Sequence, residues 1–507
     1  MDGFNDMLIA ITGEVDSFLY TYILVILLVF AGVYFSIRTK GVQIRYIKDM
    51  FTQLMEKKQV KGGHTISSFQ ALMVSTASRV GTGNIAGIAT AIATGGPGAV
   101  FWMWLMALFG AASAFVESTL AQIWKIRGKD GEFRGGPAYY IQQGLGKRWL
   151  GIVFAVALIL CFAFGFNGLQ AYNASSTLEY FMPEYATNGA AAAVGVALVV
   201  LTAGVIFGGA KRISTITSII VPVMAIGYLA LGIYTTCANI TELPAVFALV
   251  FESAFDFQAI FGGFTGSVVM LGIKRGLFSN EAGMGSAPNA AATASVSHPV
   301  KQGLVQTLSV YIDTLVICTC SAMLVLVFYV QDPAAAQALN GMPLVQMAVN
   351  NSVGEWGIYF VTVAIFLFAF SSLIGNYFYA ESNFKFIFDK AKTQVGLVIF
   401  RLACLAVIMY GALNSFDLAW NLADIFMAFM AIINLVAIIW LGKWAFKALD
   451  DYTRQRKAHK DPVFLAESVP GLPATECWHG LNAANVPEGF QLTEEAEEEV
   501  EEAEEAV

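Results

Sequence analysis

The sequence predicts an all-α integral membrane protein with about eleven transmembrane helices. First, 57% of its residues are hydrophobic and only 13% are charged, about half the ~25% charged share of a soluble domain. Second, apolar runs near 20 residues recur along the chain, each long enough to cross a ~30 Å hydrocarbon core. Third, the basic residues segregate. With the N-terminus outside and the spans threaded in turn, the loops that fall on the cytoplasmic side hold 25 of the 29 Lys and Arg, and the external loops hold none. Positive charge is retained on the cytoplasmic side, so this partition supports both the span count and a cytoplasmic C-terminus.

The elements follow in chain order. The first apolar run, FLYTYILVILLVFAGVYF, is too long for a signal-peptide core. It has no basic region before it and no small-residue cleavage site after it. Residues 1–40 are therefore expected to carry a retained N-terminal helix, with its span at 17–38. Residues 41–65 form a cytoplasmic segment in which 42–57 mixes apolar and basic positions at helical spacing, as an interfacial amphipathic helix does. Spans at 68–93, 99–124, 150–180, 189–207 and 213–236 make up a first unit, 66–236. An extracellular connection, 237–261, leads to a second unit, 262–443, with spans at 262–296, 303–330, 356–383, 395–412 and 417–442. Residues 444–507 are a cytoplasmic tail ending in EEAEEEVEEAEEAV. That ending holds nine glutamates, so the formal charge of −8 becomes about +1 without them. Such a like-charge run is expected to be solvated and disordered, or to be an interaction tail.

The six cysteines are scattered, most of them in apolar segments, with no zinc or disulfide spacing. The four histidines, His64, His298, His459 and His479, fall in polar connections. No Walker A loop, nucleophile elbow or H-E-x-x-H motif is present, which disfavours an enzyme or an ATP-driven pump.

Two short stretches correspond. Residues 79–84 read RVGTGN and residues 281–286 read EAGMGS. Each is a charge, a small apolar residue, Gly-x-Gly and a short polar residue. They fall in the first and sixth helices of a ten-helix core, and the threading gives these helices opposite directions. Broken helices in matching positions of an inverted repeat point to a secondary transporter. Glycine costs a helix about 1 kcal/mol relative to alanine, and glycine pairs let the backbone leave the helix without a clash. Unwinding within a bilayer is tolerated only where protein or a water-filled cavity surrounds it. There the freed amides hold an anion such as a carboxylate, and the freed carbonyls take a cation or an ammonium. One break thus suits both ends of an α-amino acid. A dinucleotide-binding reading of GTGNIAG fails, because it needs a preceding strand and a βαβ unit.

The stretches ASRVGTGNIAGIATAIATGGPGAVFWMWLMALFG, FRGGPAYYI, GLFSNEAGMGSAPNAAATA and YIDTLVICT together resemble the alanine or glycine:cation symporter family, up to about residue 460. The resemblance implies a LeuT-type fold of five-plus-five inverted repeats with one extra N-terminal helix. It implies uptake of a small neutral amino acid, of the alanine/glycine class, driven by sodium. Protons are the alternative coupling ion, and no other cofactor is implied. The partners implied are the amino acid, sodium and the bilayer of the cell membrane; nothing points to nucleic acid or to an obligate protein partner.

By the same resemblance, VGTGN matches the V-G-x-G-N of the neurotransmitter:sodium symporters. The amides around Gly81 and Gly83 would hold the substrate carboxylate, Thr82 would line the site, and Asn84 would give its side-chain oxygen to substrate or cation. The carbonyls of Ala77 and Val80 would face a sodium shared with the hydroxyls of Ser371 and Ser372, and Ser372 would also border the substrate. Phe166 and Gln170, four apart on one helix face, would line the pocket. Asn376 stands where many relatives have tryptophan, and Ala380 where many have glycine. A short amide there enlarges the pocket and adds polarity, so serine or glutamine becomes an alternative substrate.

Arg79, Glu117, Glu281, Asp313 and Glu381 all fall within the expected spans. A charge at mid-bilayer costs roughly 2.5–3.5 kcal/mol on insertion scales, so each is expected to face a cavity or a partner. Arg79 and Glu281 occupy equivalent repeat positions with opposite sign and are expected to pair as an inner gate. Glu117, Asp313 or Glu381 could carry protons. A non-transporting amino-acid sensor and a channel are the readings from other classes.

Overall fold

The chain was examined as a computed structural model, which describes residues 2–56, 60–61, 65–128, 131–256, 267–388, 393–414, 417–478 and 491–492. All eleven expected spans are helical. Eight are long, apolar helices: α1 (Met7–Arg38), α4 (Ala99–Ile123), α5 (Arg148–Tyr180), α7 (Gly209–Ala238), α11 (Pro299–Gln331), α13 (Glu355–Ile387), α14 (Gln394–Leu413) and α15 (whose apolar part is Trp420–Lys457). A shorter apolar helix, α6 (Ala190–Ile206), is the ninth. The other two are interrupted. One consists of α2 (Ser68–Arg79), a single turn at Thr82–Asn84, and α3 (Ala86–Gly95). The other consists of α9 (Val268–Asn280), an irregular stretch, and the short helix α10 (Pro288–Ala291). Between α7 and α9 lies α8 (Leu243–Ala254), and between α11 and α13 lies α12 (Gly341–Val353); neither was expected.

The two interrupted helices run in opposite directions. The end of α3 meets the start of α9, where a Cβ on Gly95 would lie 2.8 Å from the Leu271 side chain. The segment before α2 meets the segment after α10, where Ser295 donates to the Ile66 carbonyl at 3.0 Å. The breaks therefore face each other in the middle of the bundle. A capping box starts α2: Ser67 Oγ accepts from the Gln70 amide, and Gln70 Oε1 accepts from the Ser67 amide, which satisfies two of the helix's orphan donors.

The extra helix α1 packs through a small residue. A Cβ on Gly32 would lie 2.9 Å from Phe109 of α4. Its other end is held by charge. Lys274 of α9 sits 2.6 Å from Asp16 of α1 and 2.7 Å from Asp424 of α15, over the Tyr20 ring. Residues 42–55 form three short helical pieces instead of one amphipathic helix. Buried Val42 and Met50 alternate with exposed Ile44, Ile47 and Phe51.

Part of the expected tail belongs to the fold. Residues 461–478 return across the end of the bundle where the basic loops gather. The Phe464 amide donates to the Ser297 carbonyl at 3.0 Å, and Trp478 Nε1 donates to the Gln122 carbonyl at 2.8 Å. Beneath this strap, the Lys301 side chain is fully buried, 3.0 Å from Glu56 and 3.0 Å from Asp461. Burial pushes the Glu56 carboxyl above its ordinary value, and Lys301 opposes the push. The acidic ending, 493–507, lies outside the described residues, as do His64, His479 and part of the connection at 237–261.

Removing one partner of a buried ion pair strands the other, a loss of roughly 3–5 kcal/mol. Lys301→Met is therefore expected to lower the thermal unfolding midpoint in detergent clearly. Adding Glu56→Gln should recover part of the loss. Equal midpoints for Lys301→Met and the wild type would show that the strap contributes nothing to stability.

Candidate functional site

The two breaks differ in construction. In the second, Glu281, Gly283 and Gly285 all have positive φ, at 54°, 82° and 88°. A non-glycine residue in that region is strained by about 1–3 kcal/mol and is held there by its surroundings. In the first break no residue has positive φ among the described residues, so its glycines serve close approach. A Cβ on Gly81 would lie 2.5 Å from Ser372 Oγ and 2.7 Å from Gln170 Nε2. A Cβ on Gly83 would fall on the Phe278 ring. The glycines thus let α5, α9 and α13 close against the unwound chain.

Gly81, Thr82, Gly83, Asn84, Gln170 and Ser372 come together at this point. The Gly81 amide donates to Asn84 Oδ1 at 3.1 Å, and the Thr82 amide donates to Gln170 Oε1 at 3.0 Å. Asn173, one helical turn beyond Gln170, donates to Thr82 Oγ1 at 2.8 Å. The Asn84 oxygen therefore caps its own break. The Asn84 nitrogen donates to Asp313 Oδ1 at 2.6 Å and to Ser279 Oγ at 3.1 Å. Ser279 also donates to Asp313, and Thr314 does so at 3.1 Å.

Beside this cluster, Ser372 Oγ donates to the Ala77 carbonyl at 3.0 Å and lies 3.4 Å from the Val80 carbonyl. Ser371 turns to its own helix and donates to the Phe368 carbonyl at 2.9 Å. Oxygens from two helices thus meet at the first break: the carbonyls of Ala77 and Val80 with the Ser372 hydroxyl. A hard cation prefers such a set.

Asn376 is held by hydrogen bonds at both ends of its amide. Its oxygen accepts from Ser78 Oγ at 2.6 Å, and its nitrogen donates to Asn167 Oδ1 at 3.0 Å. Ser78 also donates to Glu281 Oε1 at 3.1 Å. Arg79 Nε lies 3.8 Å from Glu281 Oε2, with both side chains almost wholly buried. Among the described residues, the Arg79 nitrogens have no hydrogen-bond partner, so this pair is a charge contact across the breaks. Ser286 donates to the same Glu281 carboxylate at 2.6 Å.

The remaining in-span acids have partners. Glu117 accepts from the Gly283 amide at 3.1 Å and from Asn434 Nδ2 at 2.7 Å. Glu381 lies 2.7 Å from Lys385 and 3.5 Å from Arg401.

On the other side of the site is a lid of stacked rings. Phe166 meets Phe278 edge-on, with centroids 4.8 Å apart, and Phe278 lies parallel to Trp420 at 6.2 Å. Arg275 caps the stack, 4.9 Å above Trp420. Phe278 and Trp420 were not singled out from the sequence. Phe278, three residues before EAGMGS, is one aromatic among 39 phenylalanines. The widened helical turns at Ile159–Phe166 and Tyr311–Cys318, which carry Phe166 and Asp313, are a feature often found at functional sites.

Two antiparallel broken helices, meeting at mid-bundle beside a lid and a set of carbonyl and hydroxyl oxygens, define a LeuT-type secondary transporter: a multi-pass membrane carrier, not an enzyme. The chain belongs to the sodium:alanine symporter family, which matches residues 5–466. It is 47% identical over 479 residues to the amino-acid carrier protein AlsT of Bacillus subtilis, covering 94% of this chain and 98% of that one. It is 46% identical over 468 residues to the probable sodium/glutamine symporter GlnT of the same organism, covering 92% and 95%. Among solved structures, MhsT in complex with L-phenylalanine matches with a TM-score of 0.55 at 16% identity, over 78% of this chain and 96% of that one, a likeness of fold. The resemblance read from the motifs is thereby borne out for family and fold.

Two outcomes follow from the geometry. Gly83→Ala puts a methyl group on the Phe278 ring, and overpacking of this kind costs about 1–3 kcal/mol. Uptake by the folded variant should fall roughly tenfold, and Phe278→Leu added to it should restore part. Arg79→Glu and Glu281→Arg should each abolish most uptake, and the double exchange should recover more than either single variant. Strictly additive losses would remove the pairing.

Proposed function

We propose that the chain imports a small neutral amino acid together with sodium by alternating access. The observation that carries this reading is the convergence of the Ala77 and Val80 carbonyls with the Ser372 hydroxyl, at 3.0 and 3.4 Å. These are uncharged hard oxygens beside a helix break whose amides are free of helical partners. In this reading the cation sits between α2 and α13, with Ser371 as a further ligand. The substrate carboxylate replaces Asn84 and Gln170 at the amides of Gly81 to Gly83. Phe166 and Phe278 close over it, and Arg79 with Glu281 closes the opposite side. No bond of the substrate is made or broken.

The segregation of basic residues supports a cytoplasmic C-terminus, an external N-terminus and residence in the cell membrane. On that basis substrate and sodium bind near the midplane from outside, the bundle rocks, and both leave inside.

A second reading concerns the substrate. Asn376 presents a polar amide, hydrogen-bonded to Ser78 and Asn167, beside the break. Together with the relative named as a glutamine symporter, this supports serine or glutamine as competitors of alanine and glycine. Proton coupling is the alternative to sodium, with Asp313 as the acid nearest to Asn84.

The test is uptake of labelled alanine into proteoliposomes under separate sodium and proton gradients, competed with L- and D-amino acids. Sodium-driven accumulation is expected. Ser372→Ala should raise the sodium concentration for half-maximal uptake about tenfold, the effect of a lost interaction of ~1.4 kcal/mol. Uptake indifferent to both gradients would sink the symport reading, and binding without counterflow would favour a sensor.

A further inference from the structure

The ends of α1 and α15 at the basic face enclose a cavity of about 800 Å³ that the transport site does not use. Arg38, Lys40, Arg45, Arg454, Arg456 and Lys457 line it, with Asp450 as the one carboxylate among its lining residues. Arg454 is paired with Asp451 at 2.5 Å and Arg456 with Asp49 at 2.9 Å. Among the described residues, Arg38, Lys40, Arg45 and Lys457 have no carboxylate within ion-pair distance. Two of these cations are held by rings instead: Arg38 lies 5.1 Å from the Phe446 centroid and Arg45 4.8 Å from that of Tyr46. A guanidinium held on a ring face keeps its N–H groups available, and their planar fork matches a phosphate.

The surroundings place this cavity at a membrane surface. Ile37 and Ile44, next in sequence to Arg38 and Arg45, are 70% and 67% exposed, which is costly in water and favourable against acyl chains. On α15, Trp440 is 72% exposed, as an aromatic residue at the interface is. Phe446, which lines the cavity, comes six residues later, about 9 Å along the helix. The rim of the cavity is thus at headgroup depth, with apolar side chains beside it and surplus positive charge within.

We propose that this cavity binds the phosphate of an anionic phospholipid from the adjoining leaflet, with the acyl chains along Ile37 and Ile44. The shared chemistry is a phosphate, which could also come from solution. The lipid source is favoured because the exposed isoleucines give acyl chains a surface that inorganic phosphate would not use. The bound lipid would tie the extra helix α1 to α15 at this face.

The test uses the full chain purified from bilayers of phosphatidylcholine with or without phosphatidylglycerol. Native mass spectrometry reads retained lipid, and thermal unfolding reads stability. One phosphatidylglycerol is expected to stay bound per chain and to raise the unfolding midpoint. Arg38→Ala/Arg45→Ala should weaken retention about 30-fold. Arg38→Lys/Arg45→Lys, which keeps the charge and so guards against misfolding, should weaken it less. Lys211→Ala/Arg212→Ala, elsewhere on the basic face, should leave it unchanged. Equal losses in the two alanine pairs would mean general charge attraction and overturn the site. A midpoint raised by inorganic phosphate in phosphatidylcholine alone, with no retained phosphatidylglycerol, would overturn the lipid source. Retention that emerges only after residues 493–507 are deleted would make the acidic ending the occupant and overturn the proposal.

Discussion

Backbone unwound inside a hydrocarbon layer must find all its hydrogen bonds within the protein, and the architecture around the two breaks follows from that constraint. At the first break the Gly81 amide goes to Asn84 and the Thr82 amide to Gln170. At the second, the Gly283 amide goes to Glu117 and the Gly283 carbonyl to Asn434. Each break thus recruits one asparagine and one buried carboxylate. Asn84 passes its other end to Asp313, and Asn434 passes the same nitrogen to Glu117. Neither carboxylate has a Lys or Arg within ion-pair distance among the described residues. Both are instead surrounded by N–H and O–H donors, the arrangement that makes a buried charge tolerable.

These bonds also bear on how a ligand would act in the proposed mechanism. The Gly81 and Thr82 amides, which suit a substrate carboxylate, are already satisfied, so binding there is an exchange. Asn84 and Gln170 must turn away as the carboxylate arrives. A cation drawn to the Ala77 and Val80 carbonyls would compete with the Ser372 hydroxyl for the same oxygens. Because Val80 and Gly81 share a peptide unit, a pull on that carbonyl reorients the amide beside it. Cation and substrate would then be linked through one peptide plane, with no need for a long pathway between two sites.

The spans and breaks were legible because each is written locally. Twenty apolar residues or a Gly-x-Gly flanked by charge can be read within one window. The Arg79–Glu281 contact was also legible, because inverted repeats bring equivalent positions together. What escaped depends on packing between distant segments. That Gly81 and Gly83 serve close approach, not unusual φ, is fixed by Phe278, Gln170 and Ser372, about 90 to 290 positions away. That the Asn84 side chain bonds to the Gly81 amide depends on the tight turn of the break, which no local pattern reveals. The strap at 461–478 falls within the expected cytoplasmic tail, where Pro462, Pro470 and Pro473 break up any helical run. It is ordered because Lys301, Ser297 and Gln122 offer partners that no local pattern reveals.

The short helix α9 concentrates these relations. Lys274 ties it to α1 and α15, Arg275 and Phe278 carry the lid, and Ser279 meets Asp313. Glu281, in its strained conformation, meets Ser78 and lies near Arg79. A helix of 13 residues is stiff over its ~20 Å length, so these contacts cannot change one at a time. Tilting α9 enough to part Phe278 from Phe166 also displaces Ser279 from Asp313 and shifts Glu281 against Arg79. In the proposed mechanism, opening on the lid side would thereby be coupled to the charges on the opposite side by a single rigid element. The break that follows α9, with three consecutive odd positions at positive φ, is the point at which that motion can be absorbed.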